Sequence, residues 1–240
     1  EWGDVSGAAR LLEMISNREG FGELLAEGVK RASEKIGGEA ADCAIYTMAG
    51  NSPRGHDHRS RWEELLDTCT GSGGTMDTAP PVFPTEHGLP ASIRPQDPKA
   101  VSKQVGGLRG RRHFEDSLGA CVFTTRVPLE MLCRSLESAT GWDIRIDEAM
   151  LAGRRTAALM RAFNLRCGIG PELEKPSKRY GSTPIDGPIS GVSIMDNWDE
   201  MLDIWYATVG YDRKTGQAYV KIDPVYFRPT DVDELRGDSS

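Results

Sequence analysis

The sequence predicts a mainly α-helical fold with few short strands, on three observations. Apolar residues recur at steps of three and four along most of the chain. Glycines stand where those stripes stop, and capping residues stand where they start. Strand signals are short and sparse, Tyr219 to Ile222 being the best.

Taken in order, Asp4 is placed to cap a first helix that carries Ala8, Leu11, Leu12 and Ile15 on one face. A second helix is expected from Phe21, through Leu25, Val29, Ala32 and Ile36, ending at Gly37-Gly38. Cys43-Ala-Ile-Tyr46 reads as a short extended piece, and a helix follows from Trp62 to Cys69. Leu129, Leu132, Cys133 and Leu136 form another stripe, stopped by Gly141. Asp147 opens a long helix through Leu151, Ala158, Leu159, Ala162 and Phe163, with Gly168 as its stop. Asn197 and Glu200 have capping-box spacing ahead of Met201, Leu202, Trp205 and Val209. Two Gly- and Pro-rich stretches, Gly71 to Pro98 and Gly168 to Val192, interrupt this pattern. Long irregular connections of this kind tend to line pockets or carry interfaces.

Bulk properties narrow the function classes. A formal net charge of -7 argues against unspecific nucleic-acid binding and gives no support for docking on an anionic membrane. No run of about 18 apolar residues predicts a spanning helix. The first residues, Glu1-Trp-Gly-Asp4, carry no initiator Met and no signal-peptide pattern, so a piece cut from a longer chain is expected. The 5 cysteines are odd in number and irregularly spaced, which fits a reducing, cytoplasmic location better than a disulfide framework. Without a Cys-x-x-Cys the chain holds no four-cysteine metal site by local spacing. Cys43, Cys69, Cys133 and Cys167 are expected to be buried small apolar residues.

Three constellations carry the possible chemistry. Asp116-Ser-Leu-Gly119-Ala120-Cys121 joins a carboxylate, a glycine that lets backbone approach a bulky ligand, and a thiolate able to bind iron. The alternative reading of the same residues is a helix N-cap at Asp116 and a core cysteine. Ser52-Pro53-Arg54-Gly55-His56-Asp57-His58-Arg59 sets two histidines beside an Asp, suited to a metal, to proton transfer or to an anion. With no third ligand nearby in sequence it makes a poor zinc site, and a solvated polar turn is the alternative. Leu108-Arg-Gly-Arg-Arg-His113 is a basic run suited either to a phosphate or to a solvated face.

In this order, the pieces resemble the C-terminal half of the aldehyde:ferredoxin oxidoreductase family. The resemblance runs through Trp2-Gly-Asp4, Arg18-Glu-Gly20-Phe-Gly22-Glu-Leu-Leu-Ala-Glu-Gly28-Val-Lys-Arg, Pro53-Arg54-Gly55, Asp116 to Cys121 and Arg161-Ala-Phe-Asn164-Leu-Arg166. It closes with Trp198-Asp-Glu-Met-Leu-Asp-Ile-Trp-Tyr206, Gly210-Tyr-Asp212 and Thr215-Gly216. It implies that residues 1–50 belong to the family's helical middle domain and 51–240 to a C-terminal helical domain with cofactor-facing loops. It also implies a tungsten or molybdenum bis-pterin and a 4Fe–4S cluster. Asp116 would hydrogen-bond a pterin, Gly119 and Ala120 would bring backbone near it, and Cys121 would be the fourth cluster ligand.

The other cluster cysteines and the first pterin motif lie upstream in that family. The resemblance therefore implies a missing N-terminal portion or a partner subunit, with ferredoxin or another electron-transfer protein as acceptor. One departure concerns the substrate. Aldehyde-oxidising members place a histidine in the segment aligned with Thr70 to Thr78, where this chain has Gly71-Ser-Gly-Gly-Thr-Met-Asp77-Thr78. His56 and His58 after Pro53-Arg54-Gly55 stand nearer the tungsten subunits of ring-reducing aryl-CoA enzymes. His56, His58 and Asp77 are the candidates for proton handling. The expected activity is oxidation of aldehydes to carboxylates. An aryl-CoA reductase portion and a non-catalytic helical interaction module are the alternatives.

Overall fold

The computed structural model describes residues 2–73, 83–121 and 123–218. The architecture is helical, and the only β pairing among the described residues is two isolated bridges, Thr47 with Pro176 and Tyr211 with Ala218. The expected strand at Tyr219 to Ile222 lies outside the described residues.

Helix α1 (Val5–Asn17) starts where expected, Asp4 accepting a hydrogen bond from the Gly7 amide at 2.8 Å. Its apolar stripe is not buried, and Leu12 is 66% exposed. The single helix expected over Phe21 to Ile36 is two, α2 (Phe21–Leu25) and α3 (Gly28–Ile36). The break falls at Gly28, whose φ of 80° no α-helix can pass through. The Cys43 segment is helical at its start, α4 (Glu39–Cys43), and extended only from Ala44. Beyond it, Ser177 donates its amide to the Tyr46 carbonyl and Met48 donates to that of Lys175, 2.8 Å each. These bonds tie the first fifty residues to the second Gly- and Pro-rich stretch.

Helix α6 (Pro98–Leu108) packs with both α5 (Trp62–Thr70) and α10 (Trp198–Val209). Helix α6, absent from the expected elements, follows from the spacing of Val101, Val105 and Leu108 behind an Asp97-Pro98 start. Asp97 accepts from the amides of Lys99 and Ala100 at 3.0 Å, and Pro98 sits where its missing N–H costs nothing. Trp62, Leu65, Leu66, Val101, Val105, Met201, Leu202 and Trp205 form this first core. Asn197 makes no side-chain cap to α10, because a short turn over Met195–Asn197 runs directly into the helix.

A second core joins α7 (Arg111–Ser117), α8 (Leu129–Thr140) and α9 (Ile146–Arg166) through Phe114, Leu129, Leu132, Cys133, Ala149 and Met150. Helix α9 opens at Ile146, one residue before Asp147, with the Glu148 carboxylate accepting from the Arg145 amide at 2.9 Å. Helices α7 and α9 touch backbone to backbone at Gly110 and Gly153, where a Cβ on Gly153 would overlap the Gly110 carbonyl. Gly153→Ala therefore destabilises the fold by about 1–3 kcal/mol, despite alanine's better helix propensity, because neither helix can yield without moving Phe114. A urea titration of the two proteins measures this, and an unchanged midpoint would contradict the close approach.

Candidate functional site

The Pro53-to-Arg59 loop is a polar turn that faces solvent from Arg54 to Asp57 but turns inward at His58. Asp57 accepts from the Arg59 amide at 3.1 Å and from the Arg59 guanidinium at 2.9 and 2.7 Å. Trp62 Nε1 donates to the Arg59 carbonyl at 3.1 Å. These bonds fold His58 back against α5 and bury it, at 1% exposure, while His56 stays accessible. The residue that gathers them is Glu64, on the first turn of α5. Its Oε2 lies 3.1 Å from His56 Nδ1, 3.1 Å from His58 Nε2 and 3.0 Å from Arg54 Nη2, while Arg61 Nη1 donates to Oε1 at 2.7 Å. On the far side of its ring, His58 Nδ1 sits 2.5 Å from the Tyr180 hydroxyl, supplied by the second Gly- and Pro-rich stretch.

The electrostatics follow from burial and these partners. Burial pushes the Glu64 carboxyl up, but hydrogen bonds from Arg61, His56 and Arg54 outweigh it and hold the group at about 2. Burial lowers the His58 pKa more than Glu64 raises it, so the ring stays neutral near pH 7. Burial also raises the Tyr180 phenol, which remains a protonated hydroxyl. The cluster is thus a fixed carboxylate, a neutral buried imidazole and a reachable one, joined over short distances. Its chemical capacity is proton exchange or ligation. Sequence spacing finds the two histidines but misses Glu64 and Tyr180. Glu63-Glu64 reads only as a helix-start acid pair, and Tyr180 stands more than a hundred residues away.

The Asp116-to-Cys121 run lies elsewhere, on the exposed end of α7 against the second core. Asp116 is not an N-cap: it sits in the last turn of α7 and pairs with Arg112 one turn earlier, at 2.8 and 3.0 Å. Gly119 takes a φ of 70°, and nothing stands within 4 Å of where its Cβ would be. Ala120 is half-buried and Cys121 is exposed. A carboxylate, an uncovered backbone turn and a free thiol therefore share one outward edge. Asp77 lies outside the described residues. Asn164 Nδ2 donates to the Ser72 carbonyl at 2.9 Å.

Two other expectations are corrected. Cys43 and Cys167 are exposed rather than buried, whereas Cys69 and Cys133 are in the cores. The basic run is not a solvated face, since Arg109 and Arg111 are each 2% exposed. Arg111 is engaged by Glu115, by Glu86 and by the Val127 carbonyl, which leaves no free edge for a phosphate.

Residues 1–219 match the family described as aldehyde ferredoxin oxidoreductase, domains 2 and 3. The chain belongs to that family. It is 27% identical to the tungsten-containing aldehyde ferredoxin oxidoreductase of Pyrococcus furiosus, over 88% of this chain and 35% of the relative. The enzyme of the same name from Pyrococcus horikoshii is 29% identical, over 83% of this chain and 33% of the relative. An aliphatic sulfonate oxidoreductase WOR-like subunit of Pyrococcus furiosus is 25% identical, over 88% of this chain and 33% of the relative. The chain thus spans about a third of the length of these curated relatives.

The Glu64 cluster sets a pH window. The Glu64 pKa is lowered on folding, so its contribution is complete above the unfolded value of about 4.3. It is lost as pH falls toward about 2. Glu64→Gln is expected to cost about 2–4 kcal/mol at pH 7, and the gap from the parent protein shrinks steadily below pH ~4.5. Urea titrations across that range check the sign; a gap that grows on acidification would refute it.

Proposed function

We propose that this chain is the C-terminal portion of a tungsten- or molybdenum-pterin, iron–sulfur oxidoreductase that oxidises aldehydes to carboxylates and passes electrons to a ferredoxin-type acceptor. The observation that carries the reading is family membership over residues 1–219, with the Asp116-to-Cys121 run held open at the surface. In this reading residues 1–50 belong to the middle domain and 51–240 to the C-terminal one. An upstream portion or partner subunit supplies the remaining ligands, and the protein works in the cytoplasm. No described helix is long and apolar enough to cross a membrane.

The residues fit the cofactors. The open space over Gly119 leaves room for a ring to approach the backbone, and the exposed Cys121 thiol is free to ligate iron. Among the described residues the Asp116 carboxylate is tied only to a surface arginine, a weak pairing that leaves lone pairs for ring N–H donors. Asp116, Gly119 and Ala120 would hold the pterin, and Cys121 would hold one iron of the cluster. When bound, the group supplies two-electron chemistry at the metal and one-electron exit through the cluster. The chain itself orients that group and manages protons. His56 donates to Glu64 from Nδ1 and exchanges a proton with solvent at Nε2. Glu64 remains ionised and holds the two rings in place. His58, neutral and backed by the Tyr180 hydroxyl, receives a proton at Nε2. Asp77 is the further carboxylate assigned to this work.

A second reading keeps the cofactors and exchanges the substrate for an aryl-CoA thioester. The paired histidines after Pro53-Arg54-Gly55, with none between Gly71 and Thr78, favour it. The sulfonate-named relative supports a substrate range wider than aldehydes within the family.

The protein purified without air, together with its remaining portion, should contain tungsten or molybdenum and about four irons per cluster. Cys121→Ser should lower the iron content and alter the cluster's EPR signal while leaving tungsten in place. A preparation with neither iron nor tungsten or molybdenum would end both readings. Turnover of aldehydes against aryl-CoA thioesters separates the two.

A further inference from the structure

The three groups that meet at the start of α5 have the composition and spacing of a metal site, apart from the pterin edge. His56 Nδ1 and His58 Nε2 each stand 3.1 Å from Glu64 Oε2, and one ligand atom from each of the three residues lies within 4.8 Å of the others. A tetrahedral ion with ligand bonds of about 2.0–2.1 Å separates its ligand atoms by about 3.3 Å. Two edges of the triangle are therefore already close to that length, and the third closes by rotation of the accessible His56 ring.

The burial pattern points the same way. His58 Nε2 is shut off from solvent and, despite its 3.1 Å approach to Glu64, is out of line for a hydrogen bond. A buried ring nitrogen that faces a carboxylate without bonding to it carries a desolvation cost that a shared ion would remove. The opposite nitrogen is held by the Tyr180 hydroxyl at 2.5 Å, the outer-shell contact that fixes tautomer and ring plane in histidine metal sites. That hydroxyl serves both states: it donates to Nδ1 when Nε2 carries the proton, and accepts from Nδ1–H when Nε2 binds metal. Half-exposed His56 gives an ion a way in.

We propose that His56, His58 and Glu64 bind a divalent first-row ion of the zinc type, with a fourth position open to water or to a substrate oxygen. Two neutral imidazoles and one carboxylate suit zinc or ferrous iron over magnesium or calcium. Arg54 and Arg61 compete for the same carboxylate. Both are partly exposed, with Arg61 held to Glu64 Oε1 at 2.7 Å, so the metal exchanges places with cationic side chains that have solvent to move into. In the loaded state the bound water, rather than the free rings, carries the exchangeable proton, since coordination lowers its pKa toward neutrality. The proposal does not depend on tungsten or on the missing portion.

The test is titration of the full chain with zinc by calorimetry and with cobalt by visible absorption. The exposed thiols of Cys43, Cys121 and Cys167 are first blocked by alkylation, and circular dichroism confirms that every variant is folded. One zinc per chain is expected, with a tetrahedral cobalt spectrum free of thiolate bands. His56→Ala, an accessible substitution that spares the core, should weaken binding by at least about tenfold, and Tyr180→Phe by about tenfold. Arg61→Gln should tighten it by about threefold, because a competitor for Glu64 is gone. No saturable binding below about 1 mM, or binding indifferent to His56→Ala, overturns the proposal. So does weaker binding in Arg61→Gln, which would make Glu64 the centre of a purely structural ion-pair cluster. None of these outcomes bears on the tungsten and iron content of the assembled enzyme.

Discussion

One buried ion pair holds the two cores together. Arg161, on the second-core helix α9, donates to Glu174 Oε1 at 2.6 Å, to the Tyr206 hydroxyl of first-core helix α10 at 2.5 Å, and to the Gly216 carbonyl at 2.6 Å. Tyr206 donates in turn to Glu174 Oε2 at 2.6 Å, and Trp198 Nε1 donates to the Glu174 carbonyl at 3.1 Å. Taking such a pair out of water is costly, and breaking one side typically costs about 3–5 kcal/mol because a buried charge is left alone. Its value lies in direction: a guanidinium with all three nitrogens committed favours one arrangement of α9, α10 and the Glu174 loop. Glu174 apart, the residues involved come from the stretches that carry the family resemblance, Arg161 to Arg166, Trp198 to Tyr206 and Thr215-Gly216. Those motifs are explained by architecture, without assigning them chemistry.

That architecture explains why the helices were legible and the sites less so. Stripes such as Leu129, Leu132 and Cys133 are local, and Gly141 stops them as its positive φ dictates. Helix α6 was missed because its start, Asp97-Pro98, closes a Gly- and Pro-rich stretch that reads as loop to the end. The split at Gly28 was missed because apolar residues keep helical phase across a glycine that the backbone uses as a turn. Exposure was least legible of all. The face of α1 has helical periodicity yet no buried residue, since periodicity records which face is apolar and says nothing of what covers it.

The candidate sites divide along the same line. Asp116 to Cys121 is contiguous, so its composition could be read directly, although its place at the C-terminal end of α7 could not. The Glu64 cluster is made by tertiary contact. Two histidines in the loop, a glutamate on a helix and a tyrosine from a distant stretch converge only after α5 has docked. The same dependence explains the misreading of Arg109 and Arg111. A run of basic residues is normally solvated, but here the tight turn at Gly110 drives the side chains on either side of it inward, where Glu86 and Glu115 meet Arg111.

Two carboxylates show how packing divides the labour. Asp116 keeps solvent and one surface arginine, an arrangement that costs little to disturb, so a donor arriving from outside the chain can displace it. Glu64 is nearly enclosed and already accepts from Arg54, His56 and Arg61, so a newcomer must compete with groups already in place. The first arrangement suits recognition of a large preformed group docked from the outside. The second suits a small ion or a proton, the only species able to enter without unpacking α5. The open edge and the closed cluster therefore serve different partners by construction, and the rigid Arg161 junction lets both be held by one short helical framework.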